Sequence, residues 1–406
     1  MTQIGSSQVG ANATCPVHNF NYTDNKPAGT WFATYDELRE ESPIYRNEFG
    51  PGWWTVLSYE GILEVLQNPA IYSNSVVTPL DPEPAFRWIP EMLDGEEHRQ
   101  WRKQLAPLFS PKVTDALEDK VRARAVDLIE AILAKGTGKA DLMTEFAQKY
   151  PTTIFLELMG LPVDELGQFM EWVHAILHNT NDDVDRLRQE QGAAMMAVMG
   201  RFATIIAERR EEPRDDIVSK ALTFRIDDKP VSDQDLLAFC LLMFMAGLDT
   251  VSVTLGWSFW HLATHPEDRA AIVADPQIIP TAVEEFVRAY AIVVPARKAM
   301  QDTVLEGCPI KAGDIVGFPL SAATRDEAAF HDPTKVDIHR TANNHIGFGA
   351  GPHRCLGSHL ARRELRIAIE EWHKRVPDYR LAPDAELTET GGQLGLTSLP
   401  LEWDPA

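Results

Sequence analysis

A single cysteine near the end of the chain lies in a segment whose backbone is unusually free. Residues 347–357 read GFGAGPHRCLG, and a helical pattern follows Cys355 directly. The unpaired N–H groups and the dipole of a helix start favour an anion, and His353 and Arg354 add positive potential. Gly349 leaves room for the backbone to approach something large and flat. This arrangement is suited to presenting a sulfur ligand to a metal.

The residues alone leave three interpretations of Cys355 open. It could be an inert small residue at a helix start. It could bind zinc together with His353 and His359, although no fourth ligand stands at a convincing spacing. It could also be the axial ligand of a haem iron, to which a thiolate donates electron density. Composition and spacing do not choose among them.

Two other groups of residues in the second half of the chain could carry chemistry. In AGLDT (246–250), an acid and a hydroxyl interrupt an otherwise apolar run. Because an unpaired buried carboxylate is costly, Asp249 must be compensated, for instance by a basic partner, while Thr250 bonds back to a carbonyl one turn earlier. Glu285 and Arg288 are three residues apart on one predicted helix, a spacing typical of a surface ion pair.

The elements that must position these residues are mostly helices. Ser232 followed by Asp235 predicts the start of a helix, and the apolar run after it continues for about eight turns, which predicts a helix buried through the centre of the protein. A second helix is predicted from Ile279, and short strands in hairpins are predicted after Pro295. The last long helix is predicted to begin at Cys355.

Composition and charge exclude several classes of protein. The 406 residues are 44% hydrophobic and 24% charged, as in an ordinary globular protein. A formal charge of −22 disfavours nucleic acid and anionic membranes as partners. Neither an export signal nor a stretch of 18 or more apolar residues is found, so a cytoplasmic protein is expected. Four cysteines without a CxxC pair predict no disulfide framework: Cys15, Cys240, Cys308 and Cys355.

Taken together and in this order, AGLDT, EFVR and FGAGPHRCLG resemble the central-helix, ExxR and haem-loop motifs of the cytochromes P450. HLARRELRIAIEEWHKRVPDY and LPLEWDPA look like the soluble bacterial group of the camphor hydroxylase (camphor 5-monooxygenase). The resemblance implies a mainly α fold with a small β-rich region, a triangular single domain with a long central helix over the haem. This haem-thiolate domain would span residues 30–406, after an N-terminal extension, partly loop, at residues 1–29.

The resemblance also implies a cofactor and the residues that hold it. Haem b (iron protoporphyrin IX) would take Cys355 as its axial thiolate ligand, with Phe348 and Gly349 beside the sulfur and backbone N–H groups bonded to it. Its propionates need cationic or donor partners in a poorly solvated place. The residues that match the family's propionate contacts are His98, Arg102, Arg297 and His353.

Asp249 and Thr250 resemble the family's acid–alcohol pair, which delivers protons to dioxygen in a dry pocket. Gly247 with Ala246 would permit a local widening of the helix where oxygen fits. A separate, purely structural network is expected to join the ExxR pair to a later arginine: Glu285, Arg288 and Arg340.

The pocket above the iron is expected to be apolar, and its lining residues are Phe86, Trp88, Leu242, Met245, Ala246, Val293 and Leu394. Where the camphor hydroxylase has a hydrogen-bonding tyrosine, this chain has Phe86. A ketone would lose an anchor worth about 1 kcal/mol there. The departure favours a less polar substrate or one with a differently placed oxygen, such as cineole, ionone or a terpene hydrocarbon.

The expected activity is that of a monooxygenase, which inserts one oxygen atom of O2 into an unactivated C–H bond of a small apolar terpenoid. No flavin or nucleotide motif is present, so electrons are expected from a [2Fe-2S] ferredoxin and its reductase, docking near Arg99, Arg102 and Lys103 on a monomeric protein. One alternative is a peroxide-driven peroxygenase, against which Asp249 and Thr250 argue. Another is a haem-thiolate ligand-binding or sensor protein without turnover.

Overall fold

The structure is a computed structural model that describes residues 15–178 and 184–404, so residues 1–14 of the expected N-terminal extension lie outside the described part. As predicted, the described chain is mainly helical with short strands. Its α-helices, in chain order, are α1 Thr30–Glu41, α2 Tyr59–Gln67, α3 Gly95–Leu105, α4 Pro111–Ala116, α5 Glu118–Leu133, α6 Lys149–Met159, α7 Leu166–Val173, α8 Val184–Glu211, α9 Ile217–Ala221, α10 Asp233–Leu248, α11 Thr250–Thr264, α12 Pro266–Ala274, α13 Ile279–Ala289, α14 Leu320–Thr324 and α15 Ser358–Arg375.

The strands are short and form several small sheets. In chain order they are β1 Val17–His18, β2 Lys26–Pro27, β3 Ile44–Asn47, β4 Trp53–Val56, β5 Tyr72–Ser73, β6 Lys139–Asp141, β7 Arg225–Ile226, β8 Lys229–Pro230, β9 Ala296–Ala299, β10 Thr303–Leu305, β11 Cys308–Ile310, β12 Ile315–Gly317, β13 Arg380–Leu381, β14 Thr388–Thr390, β15 Gly395–Leu396 and β16 Pro400–Glu402. The largest sheet has the order β1-β3-β4-β12-β9-β5, and two three-stranded sheets have the orders β13-β16-β6 and β15-β14-β2. The predicted hairpin turn at Gly307 joins the antiparallel pair β10 and β11.

Helices α10 and α11 form the long central element. Ser232 caps its start, because its hydroxyl accepts a hydrogen bond from the N–H of Asp235, as the sequence predicts. The span Asp233–Thr264 is long and apolar enough to cross a membrane by length and composition, but 72% of its most apolar window is buried inside the protein. Such burial is that of a core helix, whose apolar surface is covered by neighbouring elements rather than by lipid.

The last long helix begins later than expected. The sequence predicts a start at Cys355, whereas α15 begins at Ser358. A short 3₁₀ turn at Gly351–His353 precedes the cysteine, and Cys355 itself stays in the loop. The predicted apolar face of α15 is confirmed, since Leu365 and Trp372 are buried, and the ring of Trp372 packs beside that of Phe259 on α11.

The expectation of no disulfide framework needs one correction. Cys15, just before β1, is bonded to Cys308 at the start of β11, with 6.0 Å between the Cα atoms. The two cysteines are 293 residues apart, so no local spacing reveals them. Together with the pairing of β1 with β3 and of β2 with β14, the bond attaches the described part of the extension to the sheets.

Candidate active site

The cysteine loop is held in shape by its own backbone. The N–H of Cys355 donates to the carbonyl of Phe348 at 2.8 Å, which closes the loop before the sulfur. Gly351 has φ +66°, and a Cβ there would lie 2.3 Å from the carbonyl oxygen of Leu66 on α2, so only glycine fits. At Gly349, with φ +70°, a Cβ would instead point into open space, the nearest atom being the Cα of Arg354 at 4.0 Å.

The thiol of Cys355 is accessible yet surrounded by protein. Its enclosure raises the pKa of the thiol above its ordinary value, although a hydrogen bond from Gly357 and the charges of Arg102 and Arg354 oppose this rise. Desolvation therefore outweighs the hydrogen bond and the positive charges that favour the thiolate. A metal cation at the sulfur reverses that balance, because a coordinating thiol is deprotonated.

Two of the predicted propionate contacts lie face to face. The rings of His98 and His353 stack with 3.9 Å between centroids. Nε2 of His353 lies 3.7 Å from Oδ1 of Asp94, and it is buried without a hydrogen-bond partner among the described residues. Burial lowers the pKa of His98 to about 3, and the charges of His353 and Arg102 act in the same direction. His98 is therefore neutral at physiological pH.

The two arginines of this set differ in burial, since Arg297 is buried and Arg102 is half-buried. Arg297 is buried and its Nη1 donates only to the adjacent carbonyl of Ala296, at 2.7 Å, while Nη2 of Arg102 donates to the carbonyl of Arg354 at 2.7 Å. Within the described residues, neither has an ion-pair partner. Burial lowers the pKa of Arg297, with the charge of Glu91 opposing the shift. A buried cation without an anionic partner is costly, so Arg297 is suited to an anionic ligand, and the half-buried Arg102 can contribute a second positive charge.

The ExxR pair is not on the surface. Glu285 and Arg288 are both fully buried and form two hydrogen bonds of 2.7 and 2.8 Å. Arg340 donates its Nε to the same carboxylate at 3.1 Å. Arg288 also donates to the carbonyl of Thr324 at 2.8 Å, so the carboxylate on α13 and its two arginines tie several loop segments together. The carboxylate offsets part of the two positive charges, and backbone carbonyls accept from both guanidinium groups, which makes their burial tolerable.

The central helix is interrupted at the acid–alcohol pair. Asp249, which is 3% exposed, separates α10 from α11, and the hydroxyl of Thr250 donates to the carbonyl of Ala246 at 3.2 Å. The widening expected at Gly247 is not where the helix breaks. Gly247 instead packs against Phe155, since a Cβ there would lie 2.4 Å from the ring. The glycine is thus explained by close packing, and the break falls two residues later.

The predicted pocket residues do not all have the same surroundings. Phe86 and Trp88 are half-buried and pack against the hydrophobic cluster that contains Met245. Leu242 and Ala246, one turn apart on α10, belong to neither of the two hydrophobic clusters, and Ala246 is exposed in the middle of a buried helix. They share a helix face with Asp249 and Thr250, because residues four and seven or eight positions apart lie on one side. Val293 is half-buried, whereas Leu394 is fully buried in the core.

These features fit a haem with an anionic edge. The open space at Gly349, the buried Nε2 of His353, which makes no hydrogen bond to the described residues, and the guanidinium groups of Arg102 and Arg297 provide a cradle and a set of donors around Cys355. The zinc interpretation lacks ligands, since no group of three His, Cys, Asp or Glu side chains that could hold a metal occurs in the part of the chain that the structure describes. Fold and site together therefore define a haem-thiolate protein.

Comparison with known proteins supports the same class of protein. The cytochrome P450 family model matches residues 25–279 and 273–372. The chain is 33% identical to the mycinamicin IV hydroxylase/epoxidase of Micromonospora griseorubida, over 91% of this chain and 94% of that protein. It is 32% identical to the methyl-branched lipid omega-hydroxylase of Mycobacterium tuberculosis, over 92% of this chain and 90% of that protein. The crystal structure of CYP101J2 superposes with a TM-score of 0.87 at 30% identity, covering 98% of this chain and all of that one. The chain belongs to the cytochrome P450 family.

Family membership confirms the predicted fold, the monooxygenase class and a haem with a cysteine thiolate ligand. It does not single out the camphor hydroxylase group. Another solved structure, that of the bottromycin biosynthetic protein SalCYP, superposes with a TM-score of 0.84 at 30% identity and covers 98% of this chain. The relatives named here carry names that refer to several different chemistries.

Sequence reasoning missed two acidic residues that organise this site. Asp94, the N-cap residue of α3, accepts hydrogen bonds from Ser73 and from the N–H of Asn74 and faces His353. Its position four residues before His98, at a helix start, was the available signal. Glu284 has no such signal. It accepts from Arg362 of α15 at 2.8 Å and lies 3.1 Å from His345, and these partners lower its pKa to about 2 despite its burial.

Proposed function

We propose that this cytochrome P450 hydroxylates an unactivated C–H bond of a small apolar terpenoid, a cineole-, camphor- or ionone-like molecule, and that residues 30–406 form its haem-thiolate domain. The observation that carries the proposal is the face of the central helix on which Leu242 and Ala246 lead to Asp249 and Thr250. An apolar surface next to an acid and a hydroxyl suits a substrate held by shape beside a source of protons.

The cofactor-binding residues have distinct tasks. When bound, the haem would supply the activation of dioxygen and the transfer of one of its oxygen atoms to carbon, while the other leaves as water. Cys355 would hold the iron through Sγ, and the N–H of Gly357 would bond to that sulfur, while Phe348 and Gly349 line the loop beside it. The propionates would be held by His98, Arg102, Arg297 and His353. Glu285, Arg288 and Arg340 support the fold around the loop and take no part in the chemistry.

The acid–alcohol pair would move protons. Asp249 takes up a proton and passes it on toward the hydroxyl of Thr250, whose Oγ1 is held by the carbonyl of Ala246. Replacing Thr250 by Ala removes the hydroxyl, whereas Thr250→Ser keeps it. We expect the alanine variant to consume NADH while forming hydrogen peroxide in place of product, and the serine variant to stay coupled. Equal coupling in both variants would contradict the relay.

A comparison of two oxidants separates a monooxygenase from a peroxygenase. Turnover with a ferredoxin, its reductase and NADH should exceed turnover with hydrogen peroxide at equal enzyme concentration. The acid–alcohol pair favours the first, because delivery of two protons to dioxygen is needed only when dioxygen is the oxidant. Faster turnover with peroxide would favour the peroxygenase.

For the electron donor we propose an acidic [2Fe-2S] ferredoxin that docks on the cysteine side of a monomeric, cytoplasmic enzyme. Of the three basic residues expected there, Arg99 is already paired with Glu96, and Arg102 donates a hydrogen bond to the backbone carbonyl of Arg354. Lys103 is exposed and is therefore the strongest candidate for steering. We expect Lys103→Glu to slow reduction by ferredoxin and to weaken its salt dependence, with unchanged reduction by dithionite. A reduction rate that is unchanged at low salt would rule out this residue.

The substrate class is tested by spectral titration of the haem-loaded protein. A monoterpenoid that displaces water from the iron shifts the Soret band from low spin to high spin, and cineole or a terpene hydrocarbon should do so. Phe86→Tyr should strengthen camphor binding by about fivefold, the value of one neutral hydrogen bond. If mycinamicin IV or a methyl-branched fatty acid shifts the spectrum and no terpenoid does, the terpenoid proposal is wrong.

A further inference from the structure

An ion pair between α13 and α15 lies next to the cysteine loop. Arg362 of α15 donates Nη2 to Oε2 of Glu284 at 2.8 Å and Nε to Oε1 of the same carboxylate. Both side chains are half-buried. Burial raises the pKa of Glu284, but the hydrogen bonds from His345 and Arg362 outweigh it and lower this pKa to about 2, so the residue is a carboxylate at physiological pH. The Glu284–Arg362 pair therefore consists of two full charges.

The cation of this pair also contacts the cysteine loop itself. The guanidinium carbon of Arg362 lies 4.4 Å from the centre of the Phe348 ring, whereas the other cation–ring contacts within residues 15–178 and 184–404 measure 5.0 to 5.8 Å. The face of an aromatic ring is negative and attracts a cation. The carbonyl of Phe348 accepts the N–H of Cys355, so the positive charge lies against the residue that closes the loop before the sulfur.

A histidine holds the carboxylate in place. The N–H of Gly347 donates to Nδ1 of His345 at 3.1 Å, so Nδ1 acts as an acceptor and the ring carries its proton on Nε2. That Nε2 donates to Oε2 of Glu284 at 3.1 Å. Glu284 thus accepts from both the segment that leads into the loop and the helix that follows it, and it fixes the position of Arg362 over the ring.

Neighbouring arginines of α15 have a different task. Arg363 and Arg366 both pair with Glu118 at the start of α5, so they join two helices and do not face the cysteine loop. A partly exposed ion pair contributes little to the stability of a fold, which gives no structural reason for Arg362 to turn the other way. Its contact with Phe348 instead places a positive charge beside the segment that carries the thiolate ligand.

We propose that Arg362 is a positioning residue for electron transfer: its cation, held over Phe348 by Glu284, raises the reduction potential of a haem ligated by Cys355. Reduction adds one electron to the ferric haem and no proton, so the site becomes more negative by one charge. A nearby cation stabilises the reduced state more than the oxidised state. This inference goes beyond the proposed function, because it holds for any substrate and for any one-electron donor.

The midpoint reduction potential of the haem-loaded protein, measured by spectroscopic redox titration without substrate, tests this. Arg362→Gln removes the cation, so the equilibrium constant for reduction should fall about three- to tenfold, which lowers the potential by about 30–60 mV. Glu284→Gln keeps an acceptor for the arginine but removes its counter-charge, so the potential should rise. Arg363→Gln removes a cation from the next position of the same helix, where it is paired with Asp115 and Glu118, and should leave the potential unchanged.

A further variant separates charge from shape. Arg362→Lys keeps a cation that can lie over the ring but loses the paired hydrogen bonds, so its potential should lie closer to the wild type than that of Arg362→Gln. Variants are compared at equal haem content and with the same red-shifted Soret band of the reduced carbon monoxide complex, which reports that Cys355 is bound as thiolate. A purely structural role would shift Arg362→Gln and Glu284→Gln in the same direction, because both changes break the same pair.

Three results overturn the assignment, and each leaves the proposed function standing because no substrate enters the titration. In the first, Arg362→Gln has the potential of the wild type. In the second, Arg363→Gln lowers the potential as much as Arg362→Gln does. In the third, Glu284→Gln fails to raise the potential, and this result decides the matter even if Arg362→Gln does not load haem.

Discussion

Gly247 of α10 offers a test in which two known effects oppose each other. Replacing glycine by alanine inside a helix normally stabilises it by about 1 kcal/mol. At Gly247, however, the new Cβ would lie 2.4 and 2.9 Å from two ring carbons of Phe155, where carbon atoms normally stay about 3.5 Å apart. The ring is rigid and buried, so it or the helix must shift by about 1 Å, and such overpacking costs about 1–3 kcal/mol. We expect Gly247→Ala to be destabilising overall.

Two other helical glycines provide the controls. Nothing lies within 4 Å of a Cβ on Gly200, so Gly200→Ala should show only the gain in helix propensity. At Gly256 the nearest atom is the Sδ of Met143 at 2.7 Å, the end of a flexible side chain that can move, so the two effects should nearly cancel. The free energy of unfolding of the haem-loaded variants should therefore rank Gly200→Ala above Gly256→Ala, with Gly247→Ala last, about 1–3 kcal/mol below Gly200→Ala.

Chemical denaturation measures this order of stabilities, provided that the free energy of unfolding falls with denaturant concentration at the same slope in all variants. Adding Phe155→Leu to Gly247→Ala should recover part of the loss, so that the double variant is more stable than the sum of the single changes. A Gly247→Ala protein as stable as Gly200→Ala would refute the reasoning, because the ring contact would then not limit the helix.

Three further predictions concern buried groups. Glu389 has a pKa raised to about 7 by burial, above its value in the unfolded chain, so its contribution to stability is complete below about pH 4.5 and is lost as the pH rises through 7. Relative to Glu389→Gln, the free energy of unfolding of the wild type should fall by about 3 kcal/mol between pH 5 and 8. A difference between the two proteins that stays constant across that range would contradict the pKa shift. The Cys15–Cys308 disulfide joins residues 293 positions apart, and its reduction should lower the free energy of unfolding by up to about 5 kcal/mol. Identical denaturation curves with and without reductant would show that the disulfide does not stabilise the protein. Glu285→Gln should lower the free energy of unfolding by about 3–5 kcal/mol because it leaves two arginine charges uncompensated. Glu96→Gln, in an exposed pair, should lower it by less than about 1 kcal/mol. Similar losses in both variants would argue against the buried network.

The sequence predicts well what short-range chemistry determines. The cap at Ser232, the hairpin turn at Gly307 and the buried face of α15 each depend on neighbours within a few residues, and the structure has all three. The three motifs identify the family because their order and residue types are specific. Their surroundings are less accessible, and desolvation at Cys355 depends on how completely other elements enclose the thiol.

Long-range contacts account for what the sequence could not reveal. The bond between Cys15 and Cys308 and the approach of Asp94 to His353 join segments hundreds of residues apart. A glycine such as Gly247 looks like a source of helix flexibility in a sequence, yet its neighbour Phe155 lies on another helix. Such roles follow only from the packing of one element against another.

The hairpin near the C-terminus shows why a pocket is harder to predict than a motif. Hydrophobicity favours Leu394 as a lining residue, but Leu394 lies in a turn after Gly392, whose φ is +79°, so residue type alone does not give the direction of its side chain. The side that faces the core takes Leu394, because the core gains most from an apolar side chain there. Its N–H and carbonyl are also used by the core, because they bond to Ile292 and to the indole of Trp257. An apolar residue type thus predicts burial, but it does not say whether the side chain is buried in the core or against a ligand.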